Sequence, residues 1–108
     1  MRLSRLARKI LLGLLKLDKP ATKKELARLI EGEKAFYPLS SWAREALAGS
    51  RDVTYSRTIK GLIKDGYIMM VGKTGPWHLY ALTNLGKKKA QELRKEIVDY
   101  IQEWSQLV

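Results

Sequence analysis

Apolar residues in the first part of the chain fall on one helical stripe. Leu3, Leu6, Ala7, Ile10, Leu11, Leu14 and Leu15 recur at steps of three and four residues, which predicts an amphipathic helix. Arg2, Arg5, Arg8, Lys9 and Lys16 mostly take its other sides, and Asp18-Lys19-Pro20 ends it. Thr22-Lys23-Lys24-Glu25 then reads as a capping box, in which the Thr22 hydroxyl meets the third helical amide and Glu25 reaches back. Leu26, Leu29 and Ile30 supply the buried stripe of a short second helix, with Gly32 as its stop.

The pattern weakens over residues 33–50. Phe36, Tyr37 and Pro38 suggest an ordered connector, and Ser40 or Ser41 is a candidate cap for a short helix holding Trp42, Ala43, Ala46 and Leu47, closed by Gly49. Periodicity returns after Asp52, read as the cap of a helix over about 53–65 with Tyr55, Ile59, Leu62 and Ile63 on one side and Gly66 at its end. Residues 67–71 have strand composition, 72–76 turn chemistry, and 77–82 form a second strand, so a β-hairpin with a basic tip is expected. Asn84 is the expected cap of a last helix over about 85–107, whose Ala90, Leu93, Ile97, Tyr100, Trp104 and Leu107 keep a heptad-like seam widened by Ile101 and Val108. The fold class predicted is mainly α with one small β-hairpin, in a single domain.

Charge changes this picture more than composition does. The net charge is +10, and it is uneven: residues 1–28 carry nine Lys/Arg against Asp18 and Glu25, and residues 51–73 carry five against Asp52 and Asp65. Residues 29–50 are slightly acidic and 87–108 nearly balanced. A concentrated basic face suits a polyanion, usually nucleic acid, the plainer alternative being a generally basic, solubilising surface. With no cysteine and one histidine, His78, disulfides, thiolate chemistry and multi-histidine metal sites within one chain are excluded. The apolar run Ile10–Leu15 is too short to span a bilayer and is flanked by cations, so the N-terminus reads as part of the fold and the protein as intracellular, in the cytoplasm and associated with the nucleoid. No phosphate loop, nucleophile elbow or metal-ligand cluster is present, so neither catalysis nor a cofactor is expected.

The order helix, helix, helix, hairpin, helix, together with Tyr55-Ser56-Arg57-Thr58-Ile59-Lys60-Gly61-Leu62-Ile63-Lys64-Asp65-Gly66-Tyr67-Ile68 and Tyr80-Ala81-Leu82-Thr83-Asn84-Leu85-Gly86, resembles winged helix-turn-helix regulators of the MarR and PadR kind. It is also similar to archaeal and archaeal-virus winged-helix proteins that dimerise through a C-terminal helix. The resemblance covers about residues 1–30 and 51–100, and residues 33–50 depart from it by lengthening the usual short connection before the third helix. It implies a DNA-binding domain over 1–83 and a dimerisation helix over 84–108, with double-stranded DNA and a second copy of the chain as partners.

On a helical wheel, the side of the third helix away from Ile59 and Leu62 carries Thr54, Arg57, Gly61 and Lys64, flanked by Thr58 and Lys60. Arginine bonds guanine edges, threonine meets base or phosphate, and lysine anchors the backbone, so this face suits a major groove; alone it would read as a solvated helix face. Gly61 is costly inside a helix, by roughly 1 kcal/mol relative to Ala. Close approach to DNA and close packing or a tolerated defect are both open readings. The resemblance puts Lys73 and Thr74 at a wing tip in or along the minor groove. Arg2, Arg5, Lys23 and Lys24 are expected beside flanking phosphates, since a helix N-terminus favours anions and two lysines after Thr22 reinforce that. Leu93, Ile97, Tyr100, Ile101, Trp104 and Leu107 are the expected dimer interface, the alternative being that the last helix folds back onto Leu3–Leu14. A small-molecule effector pocket lined by Phe36, Tyr37, Trp42 and Trp104 competes with a plain core role for those aromatics. The functional expectation is a dimeric transcription regulator, with an architectural DNA binder or a protein-interaction module as alternatives.

Overall fold

A computed structural model describes residues 3–38, 45–47 and 49–97. Ser4 opens helix α1 (Arg5–Leu17), its hydroxyl accepting the Ala7 N–H at 3.1 Å. Of the stripe predicted from spacing, Ile10 and Leu11 are fully buried, Ala7 and Leu14 nearly so, and Leu3, Leu6 and Leu15 partly; Leu12, outside that stripe, is fully buried as well. Truncating one of these leucines to alanine is expected to cost about 3–4 kcal/mol, by lost transfer energy plus a cavity. Asp18 ends the helix in the left-handed region at φ 53°.

The Thr22 box caps α2 (Lys23–Glu31), with the Glu25 N–H donating to the Thr22 hydroxyl oxygen at 3.2 Å and that hydroxyl donating to the Glu25 carboxylate at 3.3 Å. A 3₁₀ turn over Gly32–Ala35 follows and leads to two short antiparallel strands, β1 (Phe36–Pro38) and β2 (Glu45–Leu47). This corrects the expected short helix: Ala46 and Leu47 are in β2, with Tyr37 paired to Ala46 and Phe36 to Leu47. Leu47 is buried, so the strand pair secures the connector to the core. Ser40, Ser41, Trp42 and Ala43 lie outside the described residues.

Helix α3 (Arg51–Lys64) begins before the predicted start, with Ser50 at the N-cap position and no side-chain cap bond. Asp52 is therefore a first-turn residue rather than the cap, where a negative charge still favours the helix dipole. The helix ends in a Schellman arrangement: the Gly66 N–H donates to Ile63 O and the Tyr67 N–H to Leu62 O, both at 3.0 Å, with Gly66 at φ 83°.

Strands β3 (Ile68–Thr74) and β4 (Trp77–Leu82) form the expected hairpin, but Gly72, Lys73 and Thr74 are strand rather than turn. A bulge between Met70 and Gly72 absorbs one residue, pairing then continues to Thr74 opposite Trp77, and only Gly75-Pro76 is left to turn. Gly75 has φ 60°, as a two-residue hairpin turn with glycine first requires. Ala21 adds a third strand segment, exchanging two 2.9 Å backbone hydrogen bonds with Tyr80, so the start of α2 is stitched to the hairpin.

Helix α4 is described over Asn84–Ile97. Its cap is Thr83 rather than Asn84: the Thr83 oxygen accepts the Gly86 N–H at 3.0 Å while its hydroxyl donates to the Gly66 carbonyl. The Thr83 N–H also bonds Tyr67 O, so one residue joins the ends of α3, the hairpin and α4. A Cβ at Gly86 would lie 1.8 Å from Tyr67 O, an approach that only glycine permits. Ala90 and Leu93 then enter the core shared with α1, α2, α3 and the base of the hairpin.

Candidate nucleic-acid interface

Tyr55, Ile59 and Leu62 anchor α3, each 2% exposed. Helical geometry then sets the opposite row as Val53, Arg57, Lys60 and Lys64, all exposed. Two details differ from the sequence reading. Ile63, placed there on the buried side, is 37% exposed, and Val53, not singled out, is 58% exposed in the same row as the cations. An apolar side chain in that row matches the contact a thymine methyl offers. Only the true direction of the buried face, set by α1 and α2, could have placed Val53.

Thr54, Thr58 and Gly61 sit toward α1 instead of at the centre of the outward row. Thr58 and Gly61 line a cleft with Leu3, Ser4 and Ala7, and the Thr58 hydroxyl donates to the Thr54 carbonyl at 2.8 Å. Gly61 is exposed, and among the described residues a Cβ there would meet nothing within 4 Å, so close packing against them is not its reason.

The two lysines of α2 are used differently from the expectation. Lys23 Nζ pairs with Asp52 and donates to Ser56 Oγ at 2.9 Å, and its side chain is 18% exposed. It clasps the start of α2 to α3 rather than standing free for phosphate. Lys24 Nζ lies 4.1 Å over the Trp77 ring, joining α2 to the first residue of β4. Lys73 and Thr74 are exposed beside the Gly75-Pro76 turn, with Lys73 opposite His78. The expected tip residues are therefore at the end of the hairpin.

A second clasp holds the other end of α2. Glu31 accepts a 2.6 Å bond from the Tyr55 hydroxyl and a 2.9 Å bond from Arg51 Nε. Burial alone would raise the Glu31 pKa, but the bonds from Tyr55 and Arg51 and the nearby charges of Arg51 and Lys34 outweigh it and hold the carboxyl below its ordinary value. Burial, then the bond to Glu31, push the Tyr55 hydroxyl well above the usual tyrosine range. Arg28 pairs with Glu33 at 3.0 Å and lies 4.3 Å over the Phe36 ring.

Leu93, expected at the dimer interface, is 5% exposed in the chain's own core, covered with Ala90 against α1. It cannot offer surface to a partner, which corrects that expectation. The Ile97 side chain and the whole of Tyr100, Ile101, Trp104 and Leu107 lie outside the described residues, as do the Tyr37 side chain and Trp42 and Trp104 of the expected effector pocket. Phe36 packs partly buried on the core.

The chain superposes on the crystal structure of the adhesin competence repressor AdcR from Streptococcus pyogenes with a TM-score of 0.60 and 20% sequence identity. The match covers 88% of this chain and 57% of that one. The fold is a winged helix. In its terms α2 and α3 are the helix-turn-helix, and β3 and β4 the wing. No family model and no curated protein sequence matches the chain. Among the described residues no helix is long and apolar enough to cross a membrane.

Proposed function

We propose that the chain is a dimeric transcription regulator that binds double-stranded DNA, with α3 in the major groove and the wing, about residues 67–82, on the backbone or in the minor groove. The observation that carries this reading is the outward row of α3, in which Arg57, Lys60 and Lys64 are exposed on a helix whose other side is fixed by buried Tyr55, Ile59 and Leu62. Arg57 is the base-reading residue, Lys60 and Lys64 position the backbone, and Val53 supplies an apolar base contact. Lys73 adds a phosphate contact from the wing, whose attraction weakens with salt. Lys23 and Lys24 act through the scaffold, setting the angle of α2 to α3 and of the wing to α2.

The likeness to a repressor in fold supports the regulatory role. Dimerisation is assigned to the part of the C-terminal segment that carries Tyr100, Ile101, Trp104 and Leu107, whose apolar spacing continues past the residues α1 covers. Two copies related by a two-fold axis would present paired α3 helices to an inverted repeat.

Selection of bound sites from a random duplex pool at near-physiological salt tests the proposal. An enriched inverted repeat is the expected result. Equal recovery of unrelated duplexes would assign the same face to architectural binding, and no recovery even at low salt would overturn DNA binding.

A further inference from the structure

Helix α4 divides its charge by face. Gly86, Ala90 and Leu93 are its buried side, and the helix packs chiefly on α1. At about 100° per residue, the side opposite carries Lys88 and Lys95, with Lys87 and Arg94 along one flank. The carboxylates Glu92 and Glu96 lie along the other flank. Each cation pair is seven residues apart, so the four form two rows roughly 10 Å long. All four are exposed, and among the described residues none of them has an ion-pair or side-chain hydrogen-bond partner. With no carboxylate in its first turn, α4 also holds Lys87 and Lys88 where the helix dipole disfavours cations. The chain itself leaves this charge unbalanced.

The rest of that face narrows the partner. Its other members are Asn84 and Gln91, so it has neither an apolar residue nor an aromatic ring. A helix lying on a membrane buries an apolar side. Protein interfaces are anchored by apolar and aromatic residues, and unpaired bases stack on rings. A duplex backbone asks only for cations, and flexible lysine stems meet its phosphates over a range of spacings.

We propose that this face of α4 is a second duplex-binding surface, one that holds the phosphate backbone without reading bases, so that one molecule joins two segments of DNA. α3 and α4 both turn their buried sides to the core that α1 shares. Their outward rows therefore look away from a common centre, and a stiff, straight duplex seated on α3 leaves the row on α4 open to another. That the first segment sits on α3 rests on the proposed function, whereas the affinity of α4 for a duplex does not.

A capture experiment tests this. A duplex carrying the selected repeat is tethered to a surface and saturated with protein at near-physiological salt, and a labelled duplex of unrelated sequence is then offered. The parent is expected to capture it. The fourfold variant Lys87→Gln/Lys88→Gln/Arg94→Gln/Lys95→Gln should keep the tethered site and its preference. Its capture of the second duplex should fall by roughly tenfold or more, with a salt slope lower by about two to four. If the fourfold variant folds poorly, Lys88→Gln/Lys95→Gln should still reduce capture several-fold, and Glu92→Gln should raise it. No capture by the parent, or equal capture by parent and fourfold variant, overturns the proposal. So does capture displaced by vesicles of phosphatidylserine and phosphatidylcholine but not by excess unlabelled duplex. A fourfold variant that also loses the tethered site puts α4 on the first duplex and overturns the joining of two. If no repeat is selected, yet unrelated duplex binds the parent and not the fourfold variant, the α4 surface stands and the proposed function does not.

Discussion

Two sets of cations, only about thirty residues apart in sequence, behave in opposite ways. At the start of α2, Lys23 is turned inward to Asp52 and Ser56, and Lys24 lies over Trp77. On α3, Arg57, Lys60 and Lys64 stand in an exposed row. Residue type does not separate them. The difference is that α2 is crossed by two other elements, α3 and the wing, so its lysines meet acceptors and a ring, while the outer side of α3 is crossed by nothing among the described residues. One set builds the platform, and the other is what the platform presents.

Breaking the platform should give the largest effects. Gly86→Ala drives a Cβ into the Tyr67 carbonyl at the junction of α3, wing and α4, and should lower stability by about 3 kcal/mol or more, read by thermal or urea unfolding. Loss of the Glu31 clasp comes next. Glu31→Gln should cost about 1–2 kcal/mol at pH 7. Because the folded carboxyl titrates below its unfolded value, that stability is present above the ordinary glutamate pKa and is lost as pH falls through the folded one. The gap between parent and variant should therefore close in acid, and a gap constant from pH 7 to pH 3 would deny the clasp its charge. Lys23→Met sharpens the comparison itself. It should cost about 0.5–1 kcal/mol of stability, modest because Asp52 is exposed, whereas Lys60→Met should leave stability within about 0.5 kcal/mol. One substitution should give a gain of similar size to the Lys23 loss: Gly61→Ala meets open space in a helix interior and should stabilise by roughly 0.5–1 kcal/mol, checked by the same unfolding curves.

Local pattern made much of this fold legible. The α1 stripe, the Thr22 box, the face of α3 and the two wing strands each follow from spacing within one element. What escaped depended on neighbours. The β1–β2 pair has three-residue strands, one ending at Pro38, too short to show alternation against the capping signals of Ser40 and Ser41. Thr83 displaced Asn84 as a cap because its hydroxyl also reaches the Gly66 carbonyl, a contact between distant positions. The fate of Lys23 and Lys24 needed the packing of α2 against α3 and the wing. In the candidate site, Arg57, Lys60 and Lys64 were legible because they oppose a strong apolar stripe. Val53 was not, since an apolar residue at a helix start reads as core.

The central claim is that the outward row of α3 meets duplex DNA. Titrating the protein with its selected duplex and following backbone and side-chain resonances tests it directly, because each residue reports its own contact. The largest changes should fall on Val53, Arg57, Lys60 and Lys64, with smaller ones at Lys73 and Thr74, and Arg57→Ala should reduce discrimination at one base position by about 1–3 kcal/mol. Changes confined to α4 or to β1 and β2, with the outward row of α3 unmoved at saturation, would contradict the account.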